Sequence, residues 1–457
     1  MLTTRALWSA LGGDADALDR LQVVGAGPWL GGPLAVDELA IGAVASALLA
    51  AGELAQARGC NPPAIELSAE HVALSFCSER HVVVSGSPSA SSFAPLSRFV
   101  RCRGGGWART HGNYPHHAAA LMRALGIDSA SDRQRAVDAL EAAALSLEAT
   151  ELEDVVVAAG GCAAAMRSAE RWSRHPAGRA VPGTPIVAWG NSGAVPTPRA
   201  LPPLSDPARP AGGVRVLDLT RVIAGPVAGR TLAALGADVL RIDPPAIPEL
   251  AAQHIDTNVG KRTAVLDLAE AQQRESLLAG ADVILMGYRP GALERFAMRA
   301  DELTARHPHL IQVSLSAWGT AGPWAARRGF DSLVQAACGI AAECAAGDGT
   351  PGALPAQALD HGTGHLIAAA ALRGLVRRCR EQPHPPAALS LARTAAGLLD
   401  ARRPMPAASE LSGRADPERH RVIFDRVTLI APPGKLNGVP LAWAHGPRPF
   451  GGDEPRW

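Results

Sequence analysis

The chain has 457 residues and nearly balanced charge, with 44 Lys plus Arg against 43 Asp plus Glu and a net of +1. The length exceeds one ordinary domain and buries a core without a disulfide or metal staple. The balance excludes a basic surface for nucleic acid or anionic membrane, and the lack of any run of ~18 uninterrupted apolar residues argues against a membrane span.

In residues 1–76 an Ala-rich run predicts a helix from Val36 to Arg58, and a second helix is expected after Pro62–Pro63. Residues 77–190 read as a smaller α+β region. Short strands around His81–Val84 and Trp107–Thr110 precede helical patterns near 116–125, 133–145 and 150–159. Residues 191–212 are rich in Pro, Gly and Ser and read as a linker. From 213 to 400 strands and helices alternate. Strands are expected at Val214–Leu219, Asp238–Ile242, Thr263–Leu268, Asp282–Met286 and His309–Leu315, with a helix from Pro226 to Gly236. Such alternation predicts an α/β fold, a parallel sheet with helices on its faces. Asp360 is expected to open a long helix reaching Arg380, and residues 401–457 to form an extended wrapping tail.

An internal repeat joins the two ends. Asp37 and Asp360 each precede an Ala-rich helix, and Pro-Pro-Ala follows at the same spacing in both places, at 62–64 and 385–387. The segments align without a gap at an offset of 323, which pairs Asp37 with Asp360. Residues 1–76 therefore read as a partial copy of the region around Asp360.

Other local signals carry less chemistry. The seven cysteines form no CxxC pair, and scattered thiols in apolar runs behave as small core residues in a reducing, cytoplasmic setting. The segment from Met1 to Leu30 lacks the pattern of a secretory leader. Gly25–Gly31 (GAGPWLG) has the wrong glycine spacing for a dinucleotide loop. His116 and His117 are adjacent and are expected to point apart. His361 and His365 share a helix face without a third ligand, so no metal site is expected.

The informative zone is 213–372. Its segments, in order, are GVRVLDLTRVIAGPVAGRTLAALGADVLRIDPP, NVGKRTAVLDL, ADVILMGYRPGALERF, HPHLIQVSLSAWGTAGPWAARRGFDSLVQAACG and ALDHGTGHLIAAAAL. Together they resemble the family III coenzyme A transferases, a group that includes formyl-CoA and carnitine CoA-transferases and alpha-methylacyl-CoA racemases. A weaker resemblance covers 77–190. The order is unusual, since 1–190 resembles the part of a member that starts near the nucleophile helix and 213–400 resembles its first half.

The resemblance implies a Rossmann-like CoA-binding domain with a smaller α+β domain, a homodimer, and coenzyme A as substrate with no metal. It implies transfer of CoA between an acyl-CoA and a carboxylic acid through an aspartyl anhydride, a covalent route that divides one hard transfer into easier steps. Asp360 matches the nucleophile. A helix start is expected to hold its carboxylate ionised, with Gly362 and Gly364 freeing N–H groups for an oxyanion. The CoA contacts carried over are Val222, Ile223, Ala224, Leu266, Gly287, Tyr288, Arg289, Arg295 and Arg328, the arginines as phosphate partners. Asp37, followed by ELAIG and not HGTG, reads as a cap or a relic. Lys261 stands out as one of two lysines and is either structural or phosphate-facing.

Departures shape the alternatives. Phe330 stands where the racemase branch has His, and it cannot abstract a proton, so an isomerase or racemase is disfavoured. Ile223 and Gly287 replace residues that are polar in many members. The broken repeat and the lack of a recognisable glycine loop leave open a catalytically impaired CoA-ester-binding paralogue or subunit.

Overall fold

The computed structural model describes residues 2–25, 27–89, 93–128, 132–191, 199–401 and 415–457. Residues 192–198 of the expected linker and 402–414 of the expected tail lie outside the described residues. The central element is a seven-stranded sheet. Six strands are parallel: Arg215–Leu219, Asp238–Asp243, Arg262–Val265, Val283–Met286, Ile311–Ser316 and Ala387–Ser390. Numbered in that chain order they lie 3-2-1-4-5-6, and Ala188–Trp189 closes the last edge antiparallel. Val283–Met286 is buried throughout, as a strand covered on both faces must be. The strand order reverses between Arg215–Leu219 and Val283–Met286. That is the switch point at whose carboxyl end a crevice for a ligand opens.

The smaller α+β domain is a three-stranded antiparallel sheet, Phe99–Arg101, Trp107–Thr110 and Ala163–Ala165. Its helices Pro115–Ala124, Arg133–Leu145 and Ala149–Ala158 enclose a separate core around Leu121, Leu140, Leu152 and Val156.

The two ends of the expected repeat fold alike, in a register that differs from the sequence alignment. The helices Val36–Ala57 and Ala358–Cys379 both have 22 residues. Their N-caps, Ala35 (φ −78°, ψ 59°) and Gln357 (φ −76°, ψ 62°), adopt one conformation, and arginines Arg58 and Arg380 cap both C-termini. Each is followed by a strand, Ile65–Ser68 or Ala387–Ser390, whose last serine accepts a hydrogen bond from the N–H three residues on. Every one of these pairs is related by 322 positions. The 323 offset, set by the two Pro-Pro-Ala runs, slips by one, so Asp37 corresponds to Leu359 and not to Asp360. A four-residue strand and only then a short helix, Ala69–Ser75, follow Pro62–Pro63, where a helix alone was expected. The strand expected at His81–Val84 is a 3₁₀ turn followed by Val83–Val84. The motif AGPW recurs at 26–29 and 321–324, after the strands Leu21–Val24 and Ile311–Ser316. These two motifs are 295 positions apart and so fall outside the 322 register.

The two long helices lie side by side in one core. Val36–Ala57 is long and apolar enough by composition to cross a membrane, and it is mostly buried within the protein. Ala358–Cys379 is also pressed against the helix Ala224–Ala234. A Cβ on Gly362 would come within 2.9 Å of Leu39, and one on Gly364 within 2.4 Å of the Ala224 carbonyl oxygen. Both glycines lie inside the helix. Their N–H groups are not those of a loop aimed at an oxyanion, and their role is to let three helices approach closely.

Both ends of the chain and the linker join this body. Arg58 donates to the carbonyls of Pro210 and Gly212 at 2.8 Å, and Arg199 to Ala279 and Gly280 at 2.8 and 2.9 Å, so the described part of the linker is strapped down. The tail is more than a wrap. Lys435–Leu436 and Val439–Pro440 extend the sheet of Leu21–Val24 and Ile65–Ser68, and Arg421–Phe424 and Val427–Ile430 pair with Val83–Val84.

Lys261 is fully buried and structural. Its Nζ donates at 2.8 Å to Asp218 Oδ2, in the first strand, and at 2.8 Å to the Pro226 carbonyl, in the first turn of the next helix. Burial pulls its pKa down to about 8 against the support of Asp218. Lys261→Met leaves Asp218 as an uncompensated buried charge and should cost about 3–5 kcal/mol in urea unfolding; a loss below about 1 kcal/mol contradicts the strut. Gly364→Ala gains helix propensity yet drives a Cβ into a carbonyl oxygen, so it should destabilise by about 1–3 kcal/mol; a stabilised variant would show that the helices separate freely.

Candidate functional site

The turn after the first strand is built from strain and buried charge. Val222, β-branched, sits at φ 70°, a conformation that persists only when its surroundings enforce it. Its N–H donates to Glu249 Oε2 at 3.1 Å. Glu249 in turn is held by Arg241 at 2.9 Å and by the Tyr114 hydroxyl of the smaller domain. Thr220 N–H donates to Asp218 Oδ1 at 3.0 Å, the carboxylate that Lys261 grips from the other side. Ile223 and Ala224, both buried, begin the helix Ala224–Ala234. Gly287 closes the opposite lip. Its N–H reaches the Leu219 carbonyl at 3.3 Å, and a Cβ there would lie 3.3 Å from Thr220.

A pair of buried acids lies next to this turn. Asp331 opens the helix Asp331–Cys338 and is fully buried. Its Oδ2 accepts from the Asp360 N–H at 3.0 Å, and its Oδ1 from the Gln335 amide. Asp360, 5 % exposed, is the third residue of the long helix. Burial, then Asp331, then Glu79 push its pKa well above the ordinary aspartate value. Burial raises Asp331 to about 6 against the hydrogen bonds it accepts. The expectation of an ionised Asp360 is therefore corrected. The helix start gives its N–H groups to Asp331 and its own helix, and burial with the like charge of Asp331 favours the protonated form of the Asp360 carboxyl. Glu79, supplied by the N-terminal part of the chain, faces His361 Nε2 at 3.5 Å. Burial opposes its ionisation, but the neighbouring His361 imidazole outweighs this and holds it below the usual range.

Two clefts flank these groups. One, of about 960 Å³, is lined by Ile223, Asp331, Ser332, Gln335 and Gln357 and, from the part of the chain before the linker, by Glu79, Arg80, Phe93 and Arg109. The second, of about 820 Å³, is lined by Tyr288, Arg289, Met298, Arg299 and Thr304. Arg289 donates to the Ala326 carbonyl at 3.0 Å and Arg328 to the Gly160 carbonyl at 3.2 Å. Leu266 is buried in the core on the outer strands and Arg295 is exposed over Phe296; neither lines either cleft.

The histidines are placed differently from expectation. The rings of His116 and His117 lie 4.0 Å apart and do not point apart. Phe330 stacks on His111 at 3.7 Å, so an imidazole does stand beside it, with burial pushing its pKa down to about 3. His361 and His365 stack on Phe76 of the first copy. Among the described residues no group of His, Cys, Asp or Glu could hold a metal ion. Asp37 accepts from the N–H groups of Trp29 and Leu30 at 3.0 and 3.1 Å, where it pins the AGPW loop of the first copy. The sequence reading missed Asp331 as a partner of Asp360, although its place at a helix start after Gly-Phe was visible. It had no signal for Glu79.

Comparison with known proteins bears on the same region. Residues 212–425 match the family described as CoA-transferase family III. Over 194 residues the chain is 36 % identical to a probable fatty acyl-CoA transferase, Rv3272, of Mycobacterium tuberculosis, covering 39 % of this chain and 49 % of that protein. It is 30 % identical over 293 residues to an acyl-CoA transferase of Gibberella moniliformis, covering 60 % and 51 %. It is 29 % identical over 190 residues to a succinyl-CoA:glutarate CoA-transferase of Mus musculus, covering 38 % and 44 %. A crystal structure of Rv3272 aligns with a TM-score of 0.40 at 34 % identity, over 42 % of this chain and 58 % of that one. The chain spans about half the length of these curated relatives. The similarity to CoA-transferase family III thus lies in residues 212–425.

Proposed function

We propose that the chain transfers CoA between an acyl-CoA and a carboxylic acid, with Asp360 as the nucleophile. The observation that carries this reading is the buried Asp360–Asp331 pair beside the strained turn 222–224, at the switch point of the parallel sheet. Once deprotonated, an Asp360 oxygen adds to the thioester carbon. The C–S bond breaks, CoA leaves as thiolate, and an acyl–aspartyl anhydride remains. The acceptor acid then exchanges with the donor acid, the thiolate returns to the acceptor acyl group, and the Asp360 carboxylate is restored. Asp331 anchors the first turn of the helix and keeps bulk water away. CoA fits the switch-point crevice formed by Val222, Ile223, Ala224 and Gly287, and its phosphates fit Arg289 and Arg328. These residues come from one chain, with Glu79 and the smaller domain closing the cleft. The free thiols are in line with a reducing, cytoplasmic setting, and a homodimer is part of the same proposal.

A racemase is not favoured by the imidazole beside Phe330, because a group with a pKa near 3 is too weak a base to take a proton from carbon.

Asp360→Asn should reduce transfer from a panel of acyl-CoA donors to carboxylic acids by on the order of a thousandfold or more, while CoA binding persists. Full activity in that variant would overturn the reading. The pH profile is a second check. The nucleophile is the ionised form, and a raised pKa places that form at higher pH, so kcat/KM should rise along an acid limb well above the ordinary aspartate range. Asp331→Asn removes the like charge and should move that limb to lower pH. A limb that stays in place or moves up would show that the two carboxyls do not titrate together.

A further inference from the structure

The cleft that opens on Asp331 contains a charged group for which the transfer chemistry has no use. Arg109 lies in the smaller-domain strand Trp107–Thr110 and is 8 % exposed. Its guanidinium lies 4.5 Å from the Phe93 ring centroid and 5.2 Å from that of Phe99. Among the described residues no carboxylate pairs with it, and its Nε is buried without a hydrogen-bond partner. Other buried arginines are paired. Arg167 meets Glu153 at 2.8 Å, Arg230 meets Asp256 at 2.9 Å, Arg241 meets Asp243 at 2.8 Å, and Arg378 meets Asp282 at 2.9 Å. A buried cation without an anion is costly. Burial lowers its pKa to about 10, so it stays charged at neutral pH. Arg109 nonetheless forms part of the wall of the 960 Å³ cleft, as Asp331 and Gln335 do.

Two kinds of oxyanion enter a CoA transfer, the phosphates of CoA and the carboxylates of the acids. The phosphates have Arg289, which lines the other cleft. At Arg109 a single guanidinium is flanked by two phenyl faces. That arrangement suits one carboxylate at the end of a methylene chain better than a hydrated diphosphate. Asp331, whose Oδ2 accepts from the Asp360 N–H, lines the same cleft, so an acid bound there with one carboxyl at the Asp331 end would place its far end along this wall.

We propose that Arg109 binds the distal carboxylate of the acid substrate, which makes α,ω-dicarboxylates the substrate class of this cleft. The proposal rests on the transferase reading for the role of the first carboxylate. Calorimetric binding of glutarate and of valerate, acids of equal chain length, to the full chain tests it without turnover. Glutarate should bind at least about tenfold more tightly than valerate, the discrimination expected of a charge-assisted hydrogen bond. Arg109→Gln should abolish that preference, and Arg109→Lys, which keeps the charge, should retain part of it and guards against a folding defect. Equal binding of the two acids, or a preference that survives in Arg109→Gln, overturns the proposal. Transfer assays on the same preparations separate the two claims. A glutarate preference without CoA transfer removes the transferase reading alone, and transfer to both acids with equal KM removes the role of Arg109 alone. An Arg109→Gln variant with a raised KM for acyl-CoA and an unchanged KM for glutarate would make the bound anion a CoA phosphate and would also overturn the proposal.

Discussion

The helix Ala358–Cys379 lies between two others, and the geometry of the site follows from how closely they press on it. Gly364 leaves room for the Ala224 carbonyl, and Gly362 leaves room for Leu39 of the repeat helix. Larger residues would push the helix off the turn at 222–224 on one side and off the N-terminal copy on the other. The helix therefore arrives at one position, with Asp360 beside Asp331 and His361 beside Glu79. The strut Lys261–Asp218 and the chain Arg241–Glu249–Val222 fix the turn in the same way. Tyr114 extends that network to the smaller domain.

This packing has an electrostatic consequence. Two aspartates and a glutamate meet where water is largely excluded, and they cannot all ionise. Because Asp331 and Asp360 have folded pKa values above the unfolded value of 3.8, their contribution to stability is complete below that pH and is lost as pH rises through about 6 and beyond. At neutral pH the pair costs folding free energy, and large α-helical and sheet cores offset it. Such a cost is common where a carboxyl must be held ready for chemistry.

The sequence conveyed the local units well and their assembly less well. Alternating strands and helices after 213, the TRVIAGP turn and the helices of the smaller domain were legible because each depends on short-range periodicity. The likeness of the two long helices was legible too, but two proline runs of equal spacing set its register one residue away from that of the cap conformations at Ala35, Gln357, Ser68 and Ser390. HGTG read as a loop of free N–H groups because glycine signals both exposed turns and tight helix crossings. Glu79 and Arg109 reach the site from far upstream of Asp331 and Asp360, through a tertiary arrangement that no local pattern encodes.

Asp360 is the residue proposed to take the acyl group. Incubating the full chain with an acyl-CoA, quenching with hydroxylamine and mapping the peptides by mass spectrometry tests it most directly. A hydroxamate on Asp360, dependent on acyl-CoA, is the predicted result. A modified residue elsewhere, or CoA transfer with Asp360 left unmodified, would contradict it.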